Sequence, residues 1–116
     1  MPVEVISSPP DLVARIIQLF PSFAVEWNGG EAYGYENGDF SYHSVFLTFA
    51  PLSYGLLMQA SSETVRSFCD FVNAAVEQRG TLENAVSTCF LEHASHLAVR
   101  RLIEPSLSAA ATRELR

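Results

Sequence analysis

The sequence contains no lysine. All seven basic residues are arginine, set against thirteen Asp and Glu, which leaves a formal net charge of −6. A chain of this charge is repelled by nucleic acid and anionic membrane and favours basic partners. Charge of either sign is scarce, at 17% of residues beside 48% hydrophobic. That apolar share excludes a wholly disordered chain and leaves apolar side chains to spare for a contact surface. Cysteine is limited to Cys69 and Cys89, and nothing suggests an oxidising compartment, so buried reduced thiols are expected. A disulfide between the two helices that carry them is the alternative. No apolar run is long enough to span a bilayer, because residues 45–58 are interrupted by Pro51, Ser53 and Gly55. The opening MPVEVISSPP has neither a positive n-region nor an apolar h-region, which predicts no secretory leader and a cytoplasmic protein.

Signatures of catalysis are also missing. There is no HExxH, no GxSxG and no GK[ST] after Gly29-Gly30. Glu92, His93 and His96 form the one ionisable cluster, with the two histidines three residues apart on an expected helix. No third ligand is indicated, so a part-buried histidine satisfied by hydrogen bonds is the simpler reading, with Glu92 as a structural acceptor. A carboxylate pair for glycoside chemistry could be drawn from Glu26, Glu31, Glu36 and Asp39. Acids grouped in a loop are more often a solvated or partner-facing surface. No catalytic residue, metal ligand or cofactor is therefore assigned, and the protein is read as a non-enzyme.

What the chain does contain is helical periodicity. In residues 81–97, Leu82, Ala85, Val86, Cys89, Phe90, His93 and Leu97 recur at three- and four-residue steps and share one helix face. Thr81 is the expected N-cap and Glu83 lies in the first turn, where the helix dipole favours a carboxylate. Residues 62–80 repeat the pattern with Val65, Phe68, Cys69, Val72, Ala75 and Val76, capped by Ser61 or Ser62. Gly80 suits the left-handed position past a helix end. Two helices joined so closely are antiparallel neighbours with facing apolar stripes.

Upstream, Ser8-Pro9-Pro10-Asp11 opens a helix, with Ser8 as cap and Asp11 completing a capping box. Leu12, Val13, Ile16, Ile17 and Phe20 form its stripe, and Pro21 ends it at Phe20. Residues 1–7 read as a flexible lead-in. Residues 41–60 are apolar nearly all round. A helix to about Phe49, a break at Pro51 and a second helical piece to Gln59 is the preferred reading, with a buried strand at 45–49 as the alternative. Residues 97–104 continue the helix of 81–97 or begin a short new one, Pro105 stops it, and Ser106 caps a last one over 107–115. Arg100, Arg101, Arg113 and Arg116 gather there, to pair with acids of the same chain or to sit near helix C-termini. The fold class is mainly α: one domain over 1–116, a bundle of about five helices. It is built of short armadillo- or HEAT-like hairpins, with room for a small β-hairpin near 32–43.

Residues 22–40 differ in character. Four glycines, Trp27, Tyr33 and Tyr35, followed by Tyr42, accompany Glu26, Glu31, Glu36 and Asp39, and no basic residue occurs between Arg15 and Arg66. The segment reads as an ordered acidic aromatic loop, with a hairpin at Asn37-Gly38 as the alternative. Trp and Tyr anchor binding surfaces, and carboxylates around them steer a basic partner. Glu26, Trp27, Glu31, Tyr33, Tyr35, Glu36, Asp39 and Tyr42 are accordingly the candidate partner-binding residues. The simpler reading is that Trp27 and some tyrosines close the open end of the core.

The succession FPSF…W, SETVRSFCDFVN and GTLENAVSTCFLEH resembles a group of small, acidic, all-helical bacterial proteins: the immunity proteins of polymorphic toxin systems, contact-dependent or type VI secreted. The likeness runs from Pro21 to about Leu97, with Phe68, Phe71, Phe90, Leu91 and Glu92 as the matching positions. Phe71 stands where an aliphatic residue is usual, and His93 precedes Ala94 where leucine is commoner. The resemblance implies binding of a cognate, basic toxin by a monomer or weak homodimer, with no catalytic residue to carry over. The alternative is a helical adaptor that binds another host protein or itself.

Overall fold

Hydrophobic spacing is the main determinant of the helices that form. The computed structural model describes residues 6–29 and 40–116. Among these, the chain forms α1 (Pro9–Leu19), α2 (Phe23–Gly29), α3 (Tyr42–Phe49), α4 (Ser53–Gln59), α5 (Ser62–Gln78), α6 (Gly80–Cys89), α7 (Arg100–Ile103) and α8 (Ala109–Glu114), with three short 3-10 segments. The fold is mainly α, and no strand occurs among the described residues. The helices are more numerous and shorter than the expected five.

Ser8 caps α1 by accepting from the Asp11 amide at 3.3 Å. Asp11 reaches one residue further back than a capping box requires, accepting from the Ser7 amide at 3.0 Å. Of the flexible lead-in expected over 1–7, Ile6 is docked, its amide donating to Gln78 Oε1 and Gln78 Nε2 donating to its carbonyl at 2.7 Å, while residues 1–5 lie outside the described residues. Residues 41–60 follow the preferred reading. Ser41 and Ser44 cap α3 reciprocally, a 3-10 turn crosses Pro51 at Ala50–Leu52, and α4 resumes at Ser53. Tyr42 and His43 lie in α3, so they are not strand residues of a hairpin; the rest of that proposed hairpin, 32–39, lies outside the described residues.

Ser61 caps the 17-residue α5. The turn to α6 places Arg79 at φ 63° ahead of Gly80 at φ 74°, so two residues, not glycine alone, take positive φ. Arg79 serves as the N-cap of α6 without a side-chain bond, and Thr81 is inside the helix rather than its cap. The helix expected over 81–97 stops at Cys89, because Phe90 turns to φ −132°, ψ −65°. A 3-10 turn follows at Leu91–His93. Residues 94–99 then close as a Schellman motif: the Val99 amide bonds the Ala94 carbonyl, the Ala98 amide bonds the Ser95 carbonyl, and Ala98 takes the left-handed position at φ 65°. The last helix is capped by Ser108, not Ser106. Asn73 of α5 fixes its approach by donating to the Ser106 carbonyl and accepting from the Ser108 amide at 2.8 Å.

Phe49 is the hub of the core. Its ring centroid lies 5.5–5.8 Å from those of Phe20, Phe23, Phe68 and Phe90. All are buried, joining α1, α2, α3, α5 and the end of α6 in one cluster. Aromatic pairs at this spacing add about 0.5–1.5 kcal/mol each beyond their buried area. Around this hub α3 packs on α1 and α6, and α5 packs on α6, α7 and α8.

Candidate functional site

The candidate site is an acidic cleft beside α6. The inner face of α6 carries Leu82, Ala85, Val86 and Cys89. Helical spacing then turns Glu83, Asn84 and Thr88 outward. Because the helix breaks at Phe90, Glu92 comes to line the same cleft. The other wall comes from the end of the chain. The Arg116 amide donates to the Leu91 carbonyl at 3.0 Å, and the Ser95 amide donates to the Arg116 carbonyl at 2.8 Å. This brings Glu114 against Ser87, whose hydroxyl donates to Glu114 Oε2 at 2.8 Å. The cleft, of about 430 Å³, is lined by Glu83, Asn84, Ser87, Glu92, Glu114 and Arg116, among others.

The carboxylates are only partly offset. Arg79 approaches Glu83 at 3.5 Å, but its side chain is 77% exposed, and such a pair contributes at most about 1 kcal/mol. The Arg116 guanidinium donates to the carbonyls of Arg113 and Leu115, so it serves the end of α8. Glu92 is exposed and makes no hydrogen bond among the described residues. Its expected role as a structural acceptor is therefore not seen.

Three of the sequence-derived binding residues fall in the described chain. Glu26 is exposed on α2. Trp27, proposed as an anchor, is 9% exposed and belongs to the core. Its ring meets Phe40 edge-on at 4.9 Å and lies 6.1 Å from Phe23. Tyr42 is half-buried against the same core at the start of α3. Glu31, Tyr33, Tyr35, Glu36 and Asp39 lie outside the described residues, as does the stretch 30–39 of the expected loop; residues 23–29 of that loop are the helix α2. The segment's exit is tied to the cleft, since His43 Nε2 donates to Asn84 Oδ1 at 2.8 Å.

His93 and His96 are both exposed, past the end of α6. They follow the break at Phe90, so they do not continue the face of α6. Among the described residues no three His, Cys, Asp or Glu converge as a metal site. Cys69 and Cys89 are free and buried. Burial pushes the Cys69 thiol up to about 11, with the Asp70 charge adding to it, and its Sγ–H points at the Ile103 carbonyl 3.6 Å away. A thiol so held is a packing group, not a nucleophile. Two members of the cleft had been given other roles in the sequence: Glu83 as a dipole residue and Glu92 as an acceptor. Glu114 had none, and only the docking of the chain's end against α6 unites the three.

No helix among the described residues is long and apolar enough to cross a membrane. No curated protein and no solved structure matches the chain. A family pattern does, over residues 13–115, nearly the whole chain. The protein thus belongs to the family described as a domain of unknown function, DUF7674.

Proposed function

We propose that the protein is an immunity-type inhibitor that binds a basic toxin and blocks its cleft. The observation that carries the reading is the open cleft lined by Glu83, Glu92 and Glu114 in a lysine-free chain of net charge −6. Toxins that act on nucleic acid or nucleotides present basic clefts, and carboxylates held on a folded frame stand in for the substrate's phosphates. Glu26, Glu31, Glu36 and Asp39 add to the net negative charge that draws a basic partner. The likeness of residues 21–97 to immunity proteins supports the same conclusion. Inhibition is by occlusion.

The test is co-expression with the product of an adjacent reading frame that arrests growth when expressed alone. Protection by the wild-type chain and direct binding that weakens as salt rises are expected. The variant Glu83→Arg/Glu92→Arg, checked by circular dichroism for an unchanged melt, should associate about 10-fold more slowly or worse. A folded double variant that binds and protects like wild type shows the cleft to be the wrong surface. Absence of protection and of binding by the wild-type chain overturns the immunity reading.

A further inference from the structure

α3 and α4 carry no Asp, Glu or Arg, alone among the described helices, and the whole stretch 40–62 lacks these residues. Their inner face is the core: Val45, Phe46, Phe49, Ala50 and Leu57 are buried. Their outer face is apolar too. Leu47 is 42% exposed, Tyr54 47% and Met58 54%, with Pro51 exposed between them. The backbone stays right-handed helical at Phe49, Ala50, Leu52 and Ser53 on either side of Pro51. Positions 47, 51, 54 and 58 therefore follow three- and four-residue steps along one ridge, roughly 16 Å long at 1.5 Å per residue.

Gly55 lies on this ridge. A Cβ built there meets nothing within 4 Å, and its φ is not positive. Neither intramolecular packing nor backbone conformation calls for glycine, which a helix disfavours relative to alanine. The open space there leaves room for the close approach of something outside the fold.

We infer that this ridge is a self-association surface, on which a second copy of the chain packs antiparallel across a two-fold axis. Charge selects the occupant. Two copies of net charge −6 repel wherever carboxylates face each other, and α3–α4 is the helical surface that brings none to the contact. The basic partner proposed above gains nothing there and is drawn to the acids instead. In an isologous pairing each residue meets its counterpart across the axis. Leu47 of one copy then lies against Met58 of the other, Pro51 and Tyr54 flank the axis, and Gly55 lets the backbones close. The ridge is smaller than the about 800 Å² per partner of a standard stable interface. The dimer is accordingly weak, with a Kd on the order of 0.1–1 mM.

The test is sedimentation equilibrium of the full chain from about 10 μM to about 1 mM, at low and at high salt. Expected is a rise toward the dimer mass that salt strengthens, because screening removes repulsion while the contact is apolar. Met58→Glu should weaken association at least 10-fold with an unchanged thermal melt, and Leu47→Glu should do likewise. If Leu47→Glu fails to fold, the more exposed Met58 carries the test. Under mild oxidation Tyr54→Cys should cross-link to itself several-fold faster than Glu77→Cys, an exposed position on α5. A monomer mass throughout overturns the proposal. So does a dimer dissolved by salt, one indifferent to Met58→Glu, or equal cross-linking at the two sites.

Discussion

α3–α4 and α6 pack against one aromatic core and present opposite chemistry to solvent. Inward they are alike: Phe46, Phe49 and Leu57 on one side, Leu82, Val86 and Phe90 on the other, all buried. Outward, α3 and α4 show Leu47, Tyr54 and Met58 with no acid or arginine, whereas α6 and the turn after it show Glu83 and Glu92. Folding constrains the inner stripes, since that is where apolar area leaves water. The outer stripes are free to differ, and here one excludes charge while the other collects it. A surface poor in charge suits a like-charged copy, and one rich in carboxylate suits a basic partner.

The comparison breaks most sharply at Phe49 and Leu47, two residues apart on α3. Phe49→Ala removes the ring at the centre of four others and should cost about 3–5 kcal/mol in urea unfolding. Leu47→Ala, on the outer face, should stay within about 1 kcal/mol. Equal losses would mean that the ridge is part of the core.

The entries to the two helices differ as well. Ser41 makes reciprocal cap bonds with Ser44, while α6 starts without a side-chain cap. Ser41→Ala should lower stability by about 1 kcal/mol. Thr81→Ala should change it by less than about 0.5 kcal/mol, as at other exposed positions. A loss at Thr81 matching that at Ser41 would restore Thr81 as the cap.

Gly55→Ala sharpens the contrast in the opposite direction. The added methyl meets nothing in the monomer, so the melting temperature should rise, by the equivalent of about 0.4–1 kcal/mol. Self-association should weaken in the same variant, and loss of stability would show that the helix needs glycine for itself.

A single buried proton makes the finest test. Cys69 is held protonated in the folded chain up to about 11, against 9.0 ordinarily. Below pH 9.0 the thiol is protonated in both folded and unfolded chains and its stabilising effect is fully present. Above pH 9.0 the unfolded chain ionises first, so stability falls as pH rises through about 11. Cys69→Ala should lack that part of the alkaline slope. Identical slopes would show that the thiol titrates alike in both states.

Much of the fold was legible because local signals were undisputed. Ser8 and the prolines opened α1, Pro51 broke the apolar run after Phe49, and Ser61 opened α5 at full length. The candidate site was less legible. Trp27 carried the composition of an anchor, but an amphipathic ring is drawn to whichever apolar surface is nearest, and here Phe23 and Phe40 supply it. The periodicity of residues 81–97 ran on through His93 and Leu97 and gave no sign of a stop. At that point Leu91 and Ala94 are buried instead, and His93 turns out to solvent.

By itself the sequence determined helix type, inner stripes, caps at Ser8 and Ser61, and the acidic, lysine-free character of the surface. These depend on spacing, proline and counted charge, which act within a few residues or over the chain as a whole. The end of α6, the exposure of His93 and the meeting of Glu83, Glu92 and Glu114 were decided only by tertiary structure. The Arg116 backbone satisfies the Leu91 carbonyl and the Ser95 amide, and once those groups found partners outside the helix, the helix no longer had to continue.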